Sequence, residues 1–247
     1  MTDEVTRHYE TLLAANYSWM SGADLAEKIA EQRDLLAKLI DGSPVQAGMA
    51  ADLGAGPGYQ AFALADLGFA PVLALDTSAI LLAELEGARN GRNVTAIQAD
   101  ICDVAKFVKP GAARIVACMG DTLPHLPSPE SVKRLFAEVF TTLPAGGLFI
   151  LTFRDLSREV TGLDRFISIR NDAQRIMTCF LEFEAETVTV HDLIHSRGEA
   201  GWTLAKSSYR KLRLSPDHVV RWLSDAGFEI ARNETAGRLQ AIVGRRP

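Results

Sequence analysis

Residues 49–58 read Met-Ala-Ala-Asp-Leu-Gly-Ala-Gly-Pro-Gly, and this order of residue types is the most informative in the chain. The apolar run Met49–Leu53 predicts a buried strand, and a helical pattern begins at about Tyr59. The glycines between them let the backbone turn sharply and approach a ligand closely, because glycine has no Cβ. The N–H groups of the following helix would face an anion held at the turn. The stretch therefore predicts the entrance to a nucleotide site in a doubly wound α/β sheet.

The spacing of the glycines distinguishes two kinds of nucleotide site. The dinucleotide fingerprint G-x-G-x-x-G would place a glycine at position 59, where this chain has Tyr59. The observed pattern is an acid, Asp52, followed by Gly54, Gly56 and Gly58. This pattern resembles the first motif of the class I S-adenosylmethionine-dependent methyltransferases, in which the loop wraps the methionine end of the cofactor.

Acidic residues follow the next two predicted strands. Residues 71–75 predict the second strand, and Asp76 follows it, where a carboxylate can accept hydrogen bonds from both ribose hydroxyls. A helix cap is the alternative role for this acid, and one residue can serve both roles. Residues 94–99 predict the third strand, which is followed by Asp100 and Ile101. The resemblance implies that Asp100 bonds the adenine amino group and that Ile101 packs on the ring.

The resemblance covers about residues 45–155 and implies S-adenosylmethionine as the cofactor. The turn at residues 144–147, Pro-Ala-Gly-Gly, comes before the fifth predicted strand and is also typical of the family. The cofactor is expected to contact residues of the glycine turn and of the strand ends: Asp52, Gly54, Ala55, Gly56, Gly58, Asp76, Thr77, Asp100, Ile101 and Met119.

The segment after the fourth predicted strand, residues 120–126, resembles the G-[DN]-[ST]-x-x-H-L stretch of these enzymes. His125 is the first candidate for a catalytic proton acceptor, with Asp121 and Tyr209 behind it; a structural hydrogen bond is the alternative role for His125. The methyl group on a sulfonium is already activated, so orientation and exclusion of water can carry the reaction without a base. Arg154, just past the fifth predicted strand, could hold a carboxylate of the acceptor.

The first 45 residues predict amphipathic helices. Ser21 is expected to begin the second of them, with Asp24 as its capping-box partner. Core packing is the favoured interpretation of Tyr17 and Trp19. The alternative is a lid that binds the acceptor, because methyltransferases of this class often cover the cofactor with the segment before the glycine loop.

A period-two pattern between residues 165 and 214 predicts three or four antiparallel strands, with turns at residues 171–172 and 198–201. An antiparallel insertion at this position loosely resembles small-molecule enzymes of the glycine N-methyltransferase type, where it walls the acceptor pocket. The sequence as a whole predicts a doubly wound, mainly parallel seven-stranded sheet of the Rossmann-like methyltransferase kind. The expected single domain comprises an N-terminal helical lid (1–45), a cofactor-binding core (46–155), the insertion (165–214) and a last helix with two strands (215–247).

Composition narrows the range of partners. The chain has 247 residues, of which 47% are hydrophobic and 23% charged, as in a globular domain. The net charge of −5 gives no electrostatic footprint for nucleic acid, and the fourth predicted strand lacks the [DN]-P-P-[YFW] motif of amino-methylating DNA enzymes. No apolar run reaches the length of a membrane helix, and the N-terminal residues do not resemble a signal peptide.

The cysteines and histidines do not predict a metal site. Cys102, Cys118 and Cys179 are far apart, as is usual for buried thiols in a reducing compartment. His191 and His195 share one face of a predicted strand, but no cysteine or carboxylate joins them there at ligand spacing. We therefore predict a cytoplasmic protein without a metal, a nucleic-acid partner or a membrane partner, and a homodimer is compatible with the sequence.

These features favour an S-adenosylmethionine-dependent methyltransferase that acts in line on an amine, hydroxyl or carboxylate of a small molecule. The alternatives are an NAD(P)-dependent oxidoreductase and a non-catalytic protein that binds S-adenosylmethionine. Tyr59 argues against the oxidoreductase, whereas only an assay addresses the non-catalytic alternative. The sequence leaves open which acceptor atom is methylated and whether a general base takes part.

Overall fold

The computed structural model describes residues 3–22, 24–43 and 45–247. Residues 1, 2, 23 and 44, which belong to the predicted lid, lie outside this description. The helices, in chain order, are α1 Asp3–His8, α2 Tyr17–Ser21, α3 Leu25–Ile40, α4 Tyr59–Asp66, α5 Ala79–Ala88, α6 Val104–Phe107, α7 Pro129–Thr142 and α8 Pro216–Asp225. The strands are β1 Met49–Leu53, β2 Val72–Asp76, β3 Val94–Gln98, β4 Ala113–Cys118, β5 Leu148–Phe153, β6 Phe166–Asn171, β7 Arg175–Phe183, β8 Thr187–Gly198, β9 Gly201–Leu212, β10 Glu229–Ala236 and β11 Leu239–Arg245.

The larger sheet has seven strands in the order β10-β11-β5-β4-β1-β2-β3. Strands β1 to β5 pair in parallel, and β11 pairs antiparallel with β5 and with β10. The central strands are apolar because helices cover both faces of the sheet. Helices α3, α4 and α5 contribute to the core on one face, and α6, α7 and α8 contribute to the core on the other. The predicted doubly wound, mainly parallel sheet is confirmed.

The second sheet is antiparallel and has the strand order β6-β7-β8-β9. Its strands end and begin at the predicted turns, since β6 ends at Asn171 and β9 begins at Gly201. In β7 and β8, buried residues alternate with partly exposed ones over most of each strand, as a sheet with one buried face requires. Helix α1 packs on β9, so the N-terminal segment lies against this sheet.

The start of the second long helix differs from the prediction. Asp24, not Ser21, caps α3, because its carboxylate accepts a hydrogen bond of 2.8 Å from the N–H of Glu27. Ser21 instead ends α2, and Gly22 follows in the left-handed conformation with φ +88°. The capping-box interpretation was wrong because Gly22 stops one helix before the next one begins.

The glycine turn after β1 is packed too tightly for side chains at two of its positions. Gly54 has φ +78°, and a Cβ added there would lie 2.4 Å from Cγ2 of Thr122. Gly58 has φ +95°, and a Cβ there would lie 2.8 Å from Cγ of Leu85. Among the helices that the structure describes, none is long and apolar enough to cross a membrane.

We expect Gly58→Ala to lower the free energy of unfolding by ~1–3 kcal/mol, because the left-handed backbone and the contact with Leu85 both disfavour a Cβ. Gly87→Ala is the matched control, since Gly87 lies in α5 and a Cβ there meets no atom within 4 Å. That change should be neutral or stabilising. Urea unfolding of both variants checks the prediction, and equal effects would contradict it.

Candidate active site

A cavity of about 620 Å³ lies at the C-terminal ends of β1 and β4. Ligands of doubly wound sheets bind at this edge, and the volume is typical of a small-molecule site. The wall comes from four parts of the chain: the glycine turn, the segment after β4, the N-terminal helices and the inner face of the antiparallel sheet. A smaller pocket of about 40 Å³ shares part of this wall and extends to Asp76 and Thr77.

The glycine turn exposes its backbone to the cavity. Gly54, Ala55 and Gly56 line the cavity or the smaller pocket, whereas Gly58 is packed behind them against Leu85. A Cβ added at Gly56 would find its nearest protein atoms only at 3.9 Å. The space beside Gly56 is therefore open to a ligand that approaches the backbone closely.

Asp76 accepts hydrogen bonds from the backbone at the end of β2, whereas Ser78 caps α5, and the ribose contact of Asp76 stays a prediction. One carboxylate oxygen accepts a hydrogen bond from the N–H of Gly56 and the other accepts one from the N–H of Ser78, both at 2.8 Å. Burial raises the pKa of Asp76, and these N–H groups oppose that effect. The N–H of Thr77 is a third hydrogen-bond donor to this carboxylate. An ionised carboxylate has about four acceptor sites, so part of its capacity remains toward the smaller pocket, which Asp76 lines.

Other acids of the predicted cofactor site lie away from the cavity lining. Asp52 is 1% exposed and accepts a hydrogen bond from the N–H of Ala61 in α4. Burial and then the charge of Asp76 raise the pKa of Asp52 to about 7. Asp100 accepts a hydrogen bond of 2.9 Å from the N–H of Cys102, and Ile101 is buried in the core. The adenine contacts of Asp100 and Ile101 stay predictions.

The predicted catalytic residues are brought together in the cavity wall, next to the glycine turn. The rings of His125 and Tyr209 stack with their centroids 5.2 Å apart, and Tyr209 contacts the ring of His8 at 4.3 Å. The ring of Tyr9 meets His125 edge-on at 5.9 Å. His125 is 6% exposed, and its Nδ1 has no hydrogen-bond partner among the described residues.

Asp121 lies beside these rings in a charged cluster. Its carboxylate contacts Nζ of Lys211 at 2.5 Å and accepts a hydrogen bond of 3.0 Å from the backbone N–H of Arg154. The guanidinium of Arg154 is 3.7 Å away from the same carboxylate. Although burial acts to raise it, the ammonium of Lys211 brings the pKa of Asp121 below its ordinary value.

None of the three candidates is a strong base at neutral pH. Burial, and then the charge of Lys211, lower the pKa of His125 to about 3. Burial raises the pKa of Tyr209 well above its ordinary value, so the hydroxyl keeps its proton. The imidazole is therefore neutral above about pH 3, and Asp121 is ionised and already paired. The arrangement suits hydrogen bonding and orientation better than proton transfer.

The aromatic residues proposed for the lid separate into two groups. Tyr17 lines the cavity and the smaller pocket. Trp19 is not part of that lining: its Nε1–H donates a hydrogen bond of 2.6 Å to Asp172, and the guanidinium of Arg175 lies 4.3 Å from its ring centre. The structure thus does not bring Trp19 to the cavity, and Trp19 joins the N-terminal segment to the antiparallel sheet.

Three functional candidates were missed from the sequence. His8 and Asp192 are both buried and contact each other at 3.0 Å between Nε2 and Oδ2, and Lys211 lines the cavity. Asp192 carried a usable signal, because it is an acid at an inward position of the period-two pattern of β8. His8 carried none, since its partner is 184 residues away.

One histidine on the outer face of the antiparallel sheet contacts a carboxylate, which the sequence did not predict. Nε2 of His191 contacts Oε2 of Glu182 at 2.5 Å. Across residues 3–22, 24–43 and 45–247, no group of three or more His, Cys, Asp or Glu side chains could hold a metal ion.

Comparisons with known proteins agree with this geometry. Residues 50–147 match a family model described as a methyltransferase domain. No curated protein matches the chain by sequence. The chain resembles the crystal structure of an S-adenosylmethionine-dependent methyltransferase from Clostridium acetobutylicum, with a TM-score of 0.76, 15% identity and 98% of each chain covered.

Two further solved structures are similar over nearly the whole chain. One is CalS10 from Micromonospora echinaspora, an amino pentose methyltransferase with bound S-adenosylmethionine (TM-score 0.74, 16% identity, 96% of this chain and 98% of that chain covered). The other is the sugar N-methyltransferase KedS8 from a Streptoalloteichus species (TM-score 0.73, 15% identity, 95% of this chain and 92% of that chain covered). Residues 50–147 thus form a methyltransferase domain, and the chain shares the fold of solved S-adenosylmethionine-dependent methyltransferases.

Proposed function

We propose that the chain transfers a methyl group in line to a small-molecule acceptor bound in the cavity of about 620 Å³. The observation that carries this proposal is the continuity of the cavity. The cavity extends from the glycine turn, where the cofactor is expected, to a wall formed by the antiparallel sheet and the N-terminal segment. An acceptor enclosed in this way can be oriented and shielded from water, which is most of what the reaction requires.

The residues present fit the cofactor. Gly56 leaves its backbone open to close approach, and Asp76 retains acceptor sites at the smaller pocket. We propose that Asp76 accepts hydrogen bonds from the ribose and that Tyr17 covers the bound cofactor, because a Cβ at Gly56 would have Tyr17 as one of its nearest neighbours. When bound, S-adenosylmethionine supplies a methyl group that its sulfonium has already activated.

An amine is the acceptor group that we favour over a hydroxyl or a carboxylate. Tyr9, Tyr17 and Tyr209 line the cavity together with the carboxylate of Asp121. Aromatic faces and carboxylates both attract a cationic nitrogen, and the ammonium has to lose its proton to water before its lone pair attacks the methyl group. CalS10 and KedS8 are described as methyltransferases of an amino pentose and of a sugar nitrogen, respectively, which supports the same choice. The cytoplasmic location, the homodimer and the narrower resemblance to glycine N-methyltransferases stay predictions.

We assign His125 an orienting role in this reaction. Its neutral imidazole lines the cavity and can hold the acceptor by a hydrogen bond. Asp121 is held by Lys211 and by the backbone of Arg154, so it offers a fixed negative charge beside the acceptor. The half-exposed guanidinium of Arg154 could additionally hold an anionic group on the acceptor.

The first test is the choice of cofactor. Calorimetry should show that S-adenosylmethionine or S-adenosylhomocysteine binds and that NAD does not, because Tyr59 stands where the dinucleotide fingerprint needs glycine. Labelled S-adenosylmethionine with a panel of amines, phenols and carboxylates, including amino sugars, then identifies the acceptor. Binding of NAD in place of S-adenosylmethionine would refute the proposal.

Asp76→Ala should weaken cofactor affinity at least tenfold, because a hydrogen bond to a charged group contributes about 1.5–3 kcal/mol. The variant should also unfold more easily, since the N–H groups of Gly56 and Ser78 lose their acceptor. The control is Asp66→Ala, which removes a carboxylate that pairs with Arg92 away from the cavity. If calorimetry gives the same dissociation constant for Asp76→Ala and the wild type, Asp76 accepts hydrogen bonds only from backbone N–H groups and does not bind the cofactor.

His125→Ala should lower turnover by ~10²-fold without changing cofactor affinity, because an orienting group is lost at the reacting end of the cavity. The turnover of the wild type should show no ionisation of His125 between pH 5 and 8, since the pKa of about 3 keeps the imidazole neutral there. His125→Gln should restore part of the activity by hydrogen bonding alone. Full methyl transfer by His125→Ala would show that His125 has no role in the reaction.

A further inference from the structure

A single acid lies within an apolar part of the cavity wall. On the inner face of the antiparallel sheet, Asp192 in β8 pairs in register with Cys179 of β7 and Ser207 of β9. The neighbouring inward-facing pairs of β7 and β8 are apolar. Met177 pairs with Ile194 on one side of Asp192, and Leu181 pairs with Val190 on the other side. Asp192 is 3% exposed, and it lines the cavity.

Burying a carboxylate among apolar side chains is costly unless its acceptor sites are used. His8 contacts one oxygen at 3.0 Å, and the thiol of Cys179 is a further partner. About four acceptor sites are available on an ionised carboxylate, so two remain. The partner His8 is itself buried, and its Nδ1 has no hydrogen-bond partner among the residues that the structure describes.

A column of stacked rings separates this acid from the reacting end of the cavity. His8 contacts Tyr209, and Tyr209 stacks on His125, so Asp192 lies at one end of the column and His125 at the other. A molecule that lies along this column would meet His125 with one polar group and Asp192 with another. Its remaining skeleton would contact the apolar rows of the sheet.

We propose that Asp192 recognises the acceptor by accepting a hydrogen bond from a second donor group, distinct from the nitrogen that is methylated. This inference rests on the proposed function and adds the substrate class: a small amine that also carries a hydroxyl or a second ammonium group. A site built to bond such a group strongly rejects an analogue that lacks it, because the buried acceptor is then left unpaired. Asp192 is thus a specificity-determining residue, and His8 positions its carboxylate.

The experiment compares matched probes on the full chain loaded with S-adenosylhomocysteine. The probes are trans-4-aminocyclohexanol, trans-1,4-diaminocyclohexane and cyclohexylamine, which differ only in the second group. Calorimetry should show that the wild type binds one of the two-donor probes at least tenfold more tightly than cyclohexylamine. Comparing the aminocyclohexanol with the diaminocyclohexane shows whether Asp192 accepts its hydrogen bond from a hydroxyl or from an ammonium group.

Asp192→Asn should remove most of this preference while leaving the affinities for cyclohexylamine and S-adenosylhomocysteine within about twofold. A merely structural role would lower the affinity for all three probes alike. Glu182→Gln and His191→Gln are the matched controls, because this second pair of a carboxylate and a histidine lies on the outer face of the same sheet. Both controls should keep the preference of the wild type.

Equal affinities of the wild type for the three probes, or no binding of the two-donor probes, would overturn the inference. The comparison among probes on the wild type does not depend on whether the Asp192→Asn variant folds. Methyl transfer to the broader panel tests the proposed function separately, so either idea can fail while the other stands.

Discussion

The close approach of the glycine turn to the segment after β4 determines the geometry of the whole site. The N–H groups of Gly54 and Ala55 both donate hydrogen bonds to the carbonyl of Leu75, which fixes the turn against β2. Gly54 can then lie against Thr122 only because it lacks a Cβ. This contact brings the glycine turn beside the segment that carries Asp121 and His125. Without it, the two halves of the cavity would not share a wall.

The electrostatics of the cavity follow from burial. Each of its two carboxylates has a basic partner, Lys211 for Asp121 and His8 for Asp192, as buried acids require. Burial also keeps the imidazole of His125 and the phenol of Tyr209 neutral. The cavity therefore offers its ligand fixed dipoles and paired charges. Neither His125 nor Tyr209 readily exchanges a proton at neutral pH. The cavity is thus consistent with a reaction in which orientation matters more than acid–base chemistry.

Features determined by neighbouring residues could be predicted from the sequence. The strand, glycine turn and helix follow from local patterns, and so does the alternation of the antiparallel sheet. The positions of Asp76 and His125 followed because parallel strands present their C-terminal ends at one edge. Contacts between distant segments were not predictable: His8 meets Asp192 across 184 residues, and Trp19 meets Asp172 across 153. The cap of α3 was misplaced because Ser21 and Asp24 both suit a helix start, and only the conformation of Gly22 decides between them.

The bonds between the N-terminal segment and the antiparallel sheet have a consequence for how such an enzyme can acquire a new acceptor. Trp19 and His8 each hold a partner on that sheet, Asp172 and Asp192 respectively. If the sheet of a related enzyme were grafted onto this core, those partners would be lost, and His8 would be buried without its carboxylate. The unit that can be exchanged is therefore discontinuous in sequence: the first helices and the inserted sheet have to be transplanted together, while the glycine turn and Asp76 stay in place.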